Sequence, residues 1–382
     1  MRSNILRLKR RAYSARFDPF IAVPVAVLTV IGIVVVYSSS FYISAREFGM
    51  GTTHFYFLMR HITALLVGVV ALFVLSAIPS EELLKWSRML IVMLIGSVIA
   101  LLLFGKTVAG AKRWFRIASF GFQPSELAKV ILVLYLADYI GRKQVIASFK
   151  KELLPPLIVI LMVVVPVAFQ PSVSMAFLLM AISLTTLFYG NLKLRYIFVL
   201  SLIVAAFFIL LYKTFPHARM RLHMFLGEKP YQVRQAMAAL AEGGIFGVGV
   251  GKGIMKFLYL PTPHTDFIYA VIGEEMGFVG SSIVVLMFAL IAMRGYRLAG
   301  ELMLFGRRYL ADSVLAFGLT TAIVLTAFIN ISIVLGKLPP TGIPMPFISY
   351  GGSAALANFS AVGILLSLSS KLNRLKAERL PV

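Results

Sequence analysis

Long apolar stretches separated by shorter polar segments run through the whole chain. Stretches of about 17–25 mostly apolar residues are long enough to cross a bilayer. On that criterion the pattern predicts ten helices, at about 19–42, 56–78, 88–104, 124–141, 153–169, 172–190, 195–212, 267–293, 310–335 and 346–370. The polar segment at about 213–266 is too long to be a simple connector. The predicted fold class is an all-α polytopic membrane protein with a large extracytoplasmic loop between helices 7 and 8.

Composition agrees with the apolar pattern. Hydrophobic residues make up 60% of the chain and charged residues 14%, and the mean hydropathy is +0.91, which lies outside the range of soluble domains. The first apolar run follows several basic residues, as in a signal peptide, but it is long and many spans follow, so we expect it to be retained. There is no cysteine, which excludes disulfides and thiolate chemistry.

The distribution of Lys and Arg predicts the orientation. An even number of spans places both termini on one side, and with that side inward the inner segments hold 22 Lys and Arg against 13 outside. Positive residues favour the cytoplasmic side, so we expect a basic cytoplasmic N-terminus at 1–18, one transmembrane domain at 19–370 and a cytoplasmic C-terminus at 371–382. The net charge of +22 is then explained by orientation and anionic lipids rather than by nucleic acid.

Two predicted outer regions are basic against this trend. Their charges are Lys106, Lys112, Arg113 and Arg116 before the fourth helix, and Lys213, Arg219, Arg221, Lys229, Arg234, Lys252 and Lys256 before the eighth. Converging Lys and Arg side chains bind phosphate groups, so the pattern favours an anionic ligand on the outer face. Solvated charges in contact with lipid headgroups are the alternative.

A carboxylate and a histidine meet two prolines where the large loop becomes the eighth helix. The segment reads Tyr259-Leu-Pro-Thr-Pro-His-Thr-Asp-Phe-Ile268. Its prolines fix φ and stiffen the approach to Asp266, which is the candidate functional carboxylate of this segment. The alternative is that Thr265 or Asp266 only caps the helix.

An acidic and a basic residue are predicted inside the fourth helix. Glu126 and Lys129 are three residues apart and therefore share a face. A lysine at membrane depth costs about 2.5–3.5 kcal/mol and usually faces a partner or a cavity. The pair is either a structural ion pair or part of a polar cavity.

A proline- and glycine-rich segment, Leu338 to Ser353, precedes the last helix. It predicts a broken or re-entrant entry, which is tolerated at membrane depth only where it lines protein or water. Such a segment can present Ser349 and Tyr350 to a ligand, or it can be a tight packing corner. The glycines between Gly243 and Gly253 do not follow a phosphate-binding pattern, and we expect them to provide backbone flexibility.

These motifs resemble the SEDS proteins, the FtsW/RodA/SpoVE family of peptidoglycan polymerases. The resemblance rests on Leu260-Pro-x-x-His-Thr-Asp-Phe-Ile268, Gly273-Glu-Glu-x-Gly277, the run from Phe122 to Lys129, and Pro346-Phe-Ile-Ser-Tyr-Gly-Gly352. It implies that Asp266 is catalytic and that the Glu126–Lys129 pair faces a central cavity. The full set of substrate-binding candidates is Lys112, Arg113, Glu126, Lys129, Arg219, Arg221, His264, Thr265, Ser349 and Tyr350. The chain departs from the family pattern at Ser172, Gly253 and Thr262.

The resemblance further implies polymerisation of lipid II into a β-1,4 glycan for cell division or cell shape, with a class B penicillin-binding protein as partner. The residues around Asp266 resemble the division branch of the family, FtsW, more than the elongation branch, RodA. A divalent cation, Mg or Mn, is implied by the family alone, because no His or carboxylate spacing indicates a metal site. The alternatives are a lipid II flippase or another transporter, and a scaffold without activity.

Overall fold

The protein is a helical membrane protein, seen here in a computed structural model. The structure describes residues 18–48, 55–105, 113–117, 120–144, 148–170, 172–190 and 229–379, with scattered positions between 196 and 227. Within these residues, seven helices are long and apolar enough to cross a membrane. The predicted spans at 124–141 and 172–190 are helices in the structure but are not among these seven. The predicted helix at 195–212 lies mostly outside the described residues, so the count of ten spans stays a prediction.

Eleven helices are described in chain order. They are α1 Pro19–Phe48, α2 Tyr56–Ala77, α3 Ser80–Phe104, α4 Pro124–Lys143, α5 Leu154–Phe169 with a π-helical turn Phe149–Leu153 before it, α6 Val173–Tyr189, α7 Tyr231–Gly243, α8 Met255–Leu258, α9 Ile268–Met303, α10 Leu310–Val334 and α11 Gly352–Glu378. A short antiparallel hairpin, β1 Phe115–Ile117 and β2 Phe120–Phe122, precedes α4.

Three predicted helix boundaries were wrong for a common reason. Helix α3 begins at Ser80 rather than 88, α9 continues to Met303 rather than 293, and α11 runs to Glu378 rather than 370. The apolar criterion stops at the first charged residues, whereas these helices continue through them and pair some of their charges with neighbouring helices. Helix α11 also starts at Gly352 rather than 346, because the proline-rich segment before it is not helical.

Helix α11 forms the centre of the bundle. Nine-tenths of its most apolar stretch is buried inside the protein, and it packs against α2, α4 and α10. Small residues permit this: a side chain at Gly363 would meet the Leu72 carbonyl at 2.5 Å, and one at Gly68 would meet the ring of Phe359 at 2.7 Å. Close approach at small residues is the usual packing mode of membrane helices.

Ionic contacts join the helix ends on one side of the bundle. Arg294 of α9 contacts Asp18, just before α1, at 2.6 Å. On the same side, Lys371 of α11 contacts Asp312 of α10 and Glu81 of α3. About twenty residues along α1, Ser38 contacts Glu275 of α9, and twenty helical residues span about 30 Å. The two contacts between α1 and α9 therefore lie a bilayer thickness apart.

Helix α9 is broken at Gly277. This residue has φ 65° and ψ −162°, and the backbone groups released by the break pair with the glycine-rich segment that follows α7. Val248 N donates to Glu274 O at 3.0 Å, and Phe278 N donates to Gly244 O at 2.9 Å. The broken helix thus keeps its backbone hydrogen bonds satisfied, as membrane depth requires.

Glycines of this segment serve close packing against α9, and the expected backbone flexibility stays a prediction. A Cβ atom at Gly247 would lie 2.2 Å from the Glu275 carbonyl oxygen, and one at Gly243 would lie 1.8 Å from the Gly273 carbonyl oxygen. Only glycine allows the two backbones to approach so closely. The segment fixes the end of α9 from which Asp266 extends.

Candidate active site

Asp266 lies in the loop before α9, two residues ahead of the first helical residue. Helix α9 begins at Ile268, with Phe267 in the N-cap position and no side-chain capping bond from that residue. The Asp266 side chain is only partly buried. Its carboxylate therefore lies at the edge of the folded core, and a capping role of Thr265 or Asp266 stays an alternative prediction.

The backbone on the N-terminal side of Asp266 is held by the proline-rich segment. Tyr350 N donates to His264 O at 3.0 Å, and Ser349 Oγ donates to Thr265 O at 2.7 Å. The same hydroxyl accepts a hydrogen bond from Met345 N at 2.8 Å. Ser349 therefore positions the loop, and its hydroxyl already has protein partners on both its donor and its acceptor side.

A buried asparagine holds the carbonyl of Asp266 itself. Asn330 of α10 is fully buried, and its Nδ2 donates at 3.0 Å to both Asp266 O and Ile343 O. The Asn330 side chain thereby connects α10 to the Asp266 loop and to the proline-rich segment. Sequence reasoning did not single out Asn330, although a polar residue within an apolar span is itself a signal of a specific role.

Three carbonyls in a row, those of residues 264, 265 and 266, are thus each held by a different donor. Two of the donors belong to the proline-rich segment and one to α10. Phe347 in this segment has φ 65°, a rare conformation for a non-glycine residue. The proline-rich segment thus supplies two of the hydrogen bonds that hold the Asp266 loop.

His264 is enclosed by aromatic rings. The ring of Phe57 lies 5.1 Å away and that of Tyr350 lies 5.6 Å away, centroid to centroid. Burial lowers the pKa of His264 to about 4, because a desolvated site disfavours the charged imidazolium. At neutral pH His264 is therefore uncharged, and it contributes an aromatic face next to Thr265 and Asp266 rather than a cation.

Arg113 lies near Asp266 across the proline-rich segment. A Cβ atom built on Gly342 would be 3.7 Å from Asp266 Oδ2 and 3.9 Å from Arg113 Nη1. The Arg113 Nε donates to Gln170 O at 3.1 Å, and the Gln170 side chain is in turn held by Val98 O at 3.0 Å. A carboxylate and a guanidinium thus border the same small space, which the absence of a side chain at Gly342 leaves open.

Glu126 and Lys129 form an ion pair inside the first turns of α4. Lys129 Nζ and Glu126 Oε2 are 2.7 Å apart, and each side chain is only 2% exposed. Among the described residues, neither of the paired atoms has a further hydrogen-bond partner. The arrangement matches the structural ion pair, and removal of one partner would leave a buried charge without compensation. The predicted contact of the pair with substrate stays a prediction.

Of the remaining basic candidates, the structure describes only Arg219. Lys112 and Arg221 lie outside the described residues. Arg219 is exposed, and its guanidinium donates to the backbone carbonyls of Tyr212 and Lys213. Neither contact connects it to Asp266.

Lys256 is unavailable to an outer ligand, contrary to its inclusion among the outer basic residues. Its side chain is 2% exposed and contacts Glu275 and the Ser38 hydroxyl. Ser38 also donates to Glu275 at 2.6 Å. This buried cluster joins α1, α8 and α9, so it stabilises the packing of the helices that flank the Asp266 loop.

The three departures from the family pattern have different surroundings. A Cβ atom at Gly253 would lie 2.7 Å from Glu274 Oε2, a buried oxygen without a hydrogen-bond donor in the structure. Thr262 has φ 49°, which is uncommon for a β-branched residue. Ser172 is buried at the N-cap position of α6 without a capping hydrogen bond. Of the three, Thr262 alone lies in the loop that carries Asp266.

The described residues do not build a metal centre. No group of three or more His, Asp or Glu side chains is close enough to hold an ion in that part of the chain. Asp266 is a single carboxylate, and divalent cations need several oxygen ligands. A divalent cation therefore remains an expectation from the family.

Comparison with known proteins adds independent evidence. The FtsW/RodA/SpoVE family model, described as "Cell cycle protein", matches residues 20–374. A probable peptidoglycan glycosyltransferase FtsW of Geobacter sp. (strain M18) is 34% identical, over 93% of this chain and 97% of that protein. The stage V sporulation protein E of Bacillus subtilis (strain 168) is 31% identical, over 92% and 96% respectively.

Solved structures share the fold. The rod shape determining protein RodA of Thermus thermophilus matches with a TM-score of 0.68 at 25% identity, covering 92% of this chain and 96% of that one. A chain from a peptidoglycan synthase complex that coordinates polymerization and crosslinking matches with a TM-score of 0.77 at 24% identity, covering 93% and 98%.

Proposed function

Because the chain belongs to the FtsW/RodA/SpoVE family of cell cycle proteins, we propose that it is a peptidoglycan glycosyltransferase that polymerises lipid II. The curated relatives named peptidoglycan glycosyltransferase align over nearly their whole length. FtsW is the name carried by most of these relatives, which favours a role in cell division.

The observation that carries the proposal is the placement of Asp266. Its carboxylate is partly exposed, and the carbonyls of residues 264 to 266 are each held by one donor. A guanidinium lies across the open space beside Gly342. Catalysis benefits when the reacting groups are held in place before the substrate arrives. A rigid base opposite a cation is the minimum that glycosyl transfer from a lipid diphosphate requires.

The proposed reaction joins two lipid-linked sugars. Asp266 removes the proton from the 4-hydroxyl of the acceptor's GlcNAc, and that oxygen attacks the anomeric carbon of the donor's MurNAc. The new β-1,4 bond forms as the bond to the diphosphate breaks, with inversion, and undecaprenyl diphosphate leaves with the bonding electron pair. General base catalysis contributes about 10²–10⁴-fold.

Arg113 is the residue best placed to stabilise the leaving group. A guanidinium stays charged and binds phosphate oxygens with two parallel hydrogen bonds. Because a diphosphate is already a good leaving group, a cation in this position removes the need for the second carboxylate that glycosidases use. The Nε contact to Gln170 orients the guanidinium toward the space beside Asp266.

The proposal also sets topology and partner. We place Asp266 on the outer face of the cytoplasmic membrane, with ten spans and both termini in the cytoplasm, as the Lys and Arg distribution favours. A class B penicillin-binding protein is the proposed partner that crosslinks the new strand. The shared fold with a chain of a peptidoglycan synthase complex supports this pairing.

The experiment is reconstitution of the purified protein in vesicles with labelled lipid II, a penicillin-binding protein and Mg or Mn. We expect glycan strands that a muramidase digests, and no strands from Asp266→Ala, which should still fold and bind the partner. Asp138→Asn, on the opposite side of the bundle, is the control and should polymerise normally. Lipid II movement across the bilayer without strands would favour the flippase, and neither activity would favour a scaffold.

A further inference from the structure

A cavity lies at the end of the bundle opposite Asp266. Its volume is about 470 Å³, and it opens between the start of α1 and the last turns of α9 and α11. This is the end marked by the contact between Asp18 and Arg294, about 30 Å along α1 from the cluster that supports the Asp266 loop. The cavity is therefore separate from the proposed active site and lies at the other membrane boundary.

One wall of this cavity is apolar and faces outward. It is formed by Phe20, Leu290 and Met293, and the Phe20 and Met293 side chains are 63% and 62% exposed. Exposed apolar residues on membrane-spanning helices contact lipid chains. One turn beyond Met293, Arg297 lines the cavity, so the surface changes from apolar to cationic within a single helical turn.

The carboxylates in the cavity are turned inward and neutralised. Asp18 is 5% exposed; its Oδ2 accepts hydrogen bonds from Arg294 Nε at 2.6 Å and from Ser369 Oγ at 2.7 Å. Glu301 accepts hydrogen bonds from Arg297 at 2.8 Å and from Lys376 at 2.8 Å.

The cations are more accessible than the acids they neutralise. The Arg297 side chain is 72% exposed and that of Lys376 33%, against 17% for Glu301. Three cations and two carboxylates line the cavity, so the site has an excess positive charge.

We propose that this cavity binds the headgroup of an anionic glycerophospholipid from the adjacent leaflet. The phosphate contacts Arg297 and Lys376, and the glycerol end of the acyl chains lies along Phe20 and Met293. Basic pockets between membrane helices on the cytoplasmic side are a known form of lipid recognition. Free phosphate offers the same charge, but it leaves the apolar wall uncovered.

The test measures lipid binding by native mass spectrometry of the full-length protein in detergent. Phosphatidylglycerol, phosphatidylcholine and inorganic phosphate are titrated separately. We expect phosphatidylglycerol to bind more tightly than phosphatidylcholine. Arg297→Gln should weaken phosphatidylglycerol binding about fivefold, because each basic side chain contributes about 1 kcal/mol to the binding of an anionic lipid. The matched control is Arg142→Gln, which removes an exposed arginine paired with an aspartate four residues away and should leave binding unchanged.

A second variant tests the apolar wall independently. Phe20→Ser removes exposed aromatic surface and should weaken phosphatidylglycerol about threefold without changing its selectivity over phosphatidylcholine. Equal affinity of wild type and Arg297→Gln, or of the two lipids for wild type, would overturn the proposal. Displacement of phosphatidylglycerol by equimolar inorganic phosphate would also overturn it, because the site would then recognise only the anion.

Discussion

Ser349→Ala is the change that most sharply separates positioning from stability. The Ser349 hydroxyl donates to the carbonyl of Thr265, the residue before Asp266, and accepts from Met345 N. Alanine removes both bonds and adds no new group. The Asp266 loop then keeps its other two anchors, from Tyr350 and Asn330, so we expect it to loosen rather than unfold.

The magnitude follows from the two lost bonds. Each net hydrogen bond contributes about 0.5–1.5 kcal/mol, and a buried group left without a partner costs about 1–3 kcal/mol. A loss of about 2–3 kcal/mol in local stability is therefore expected. Because a displacement of about 1 Å at a reacting group costs about 100-fold in rate, kcat should fall 10- to 100-fold.

The control is Ser367→Ala. Ser367 Oγ donates to Ile78 O at 2.7 Å and is buried to a similar degree, but it lies on the other side of the bundle, close to Ser80 and Lys371. Glycan polymerisation rate and thermal stability are measured for both variants. Activity near wild type in Ser367→Ala with a 10-fold or greater loss in Ser349→Ala is expected. Equal activity losses at equal stability would refute the positioning role.

Three further predictions concern the surroundings of the loop. Gly247→Ala should be less stable than Gly251→Ala by about 1–3 kcal/mol and should therefore unfold at a lower temperature, because both positions have positive φ but only the first substitution introduces a clash; equal melting temperatures would contradict this. Lys256→Met should cost about 3–5 kcal/mol by leaving its buried carboxylate partner unpaired, against less than about 0.5 kcal/mol for exposed Lys252→Met, as measured by denaturant titration. Since burial lowers the pKa of His264 from 6.5 to about 4, stability should fall by about 2–3 kcal/mol from pH 6.5 to pH 4, where the unfolded chain alone takes up the proton; a His264→Phe variant with the same acid sensitivity would show that the histidine is not responsible.

Sequence reasoning identified the features that depend on local pattern. Apolar stretches located the long helices that the structure describes, and the prolines before Asp266 indicated a stiff loop. The broken entry before α11 followed from its prolines and glycines. These features could be predicted because each is determined by the chemistry of neighbouring residues.

Features that depend on distant residues could not be predicted. The glycines at 243–249 look like a flexible linker in sequence, but their use depends on the break in α9 at Gly277, thirty residues further along the chain. Lys256 looks like an outer surface charge until Glu275 is placed beside it. Asn330 donates a hydrogen bond to the Asp266 carbonyl, which lies 64 residues earlier in the sequence, and no local pattern predicts that contact.

The central claim is that Asp266 is the base for glycan polymerisation, and the steady-state kinetics of Asp266→Asn test it most directly. Asparagine keeps the size of the side chain and leaves the three backbone anchors in place, but it cannot accept the proton. We predict that kcat for polymer formation falls by at least about 100-fold, while KM for lipid II changes little. A kcat within a fewfold of wild type would contradict the account and assign the base to another residue.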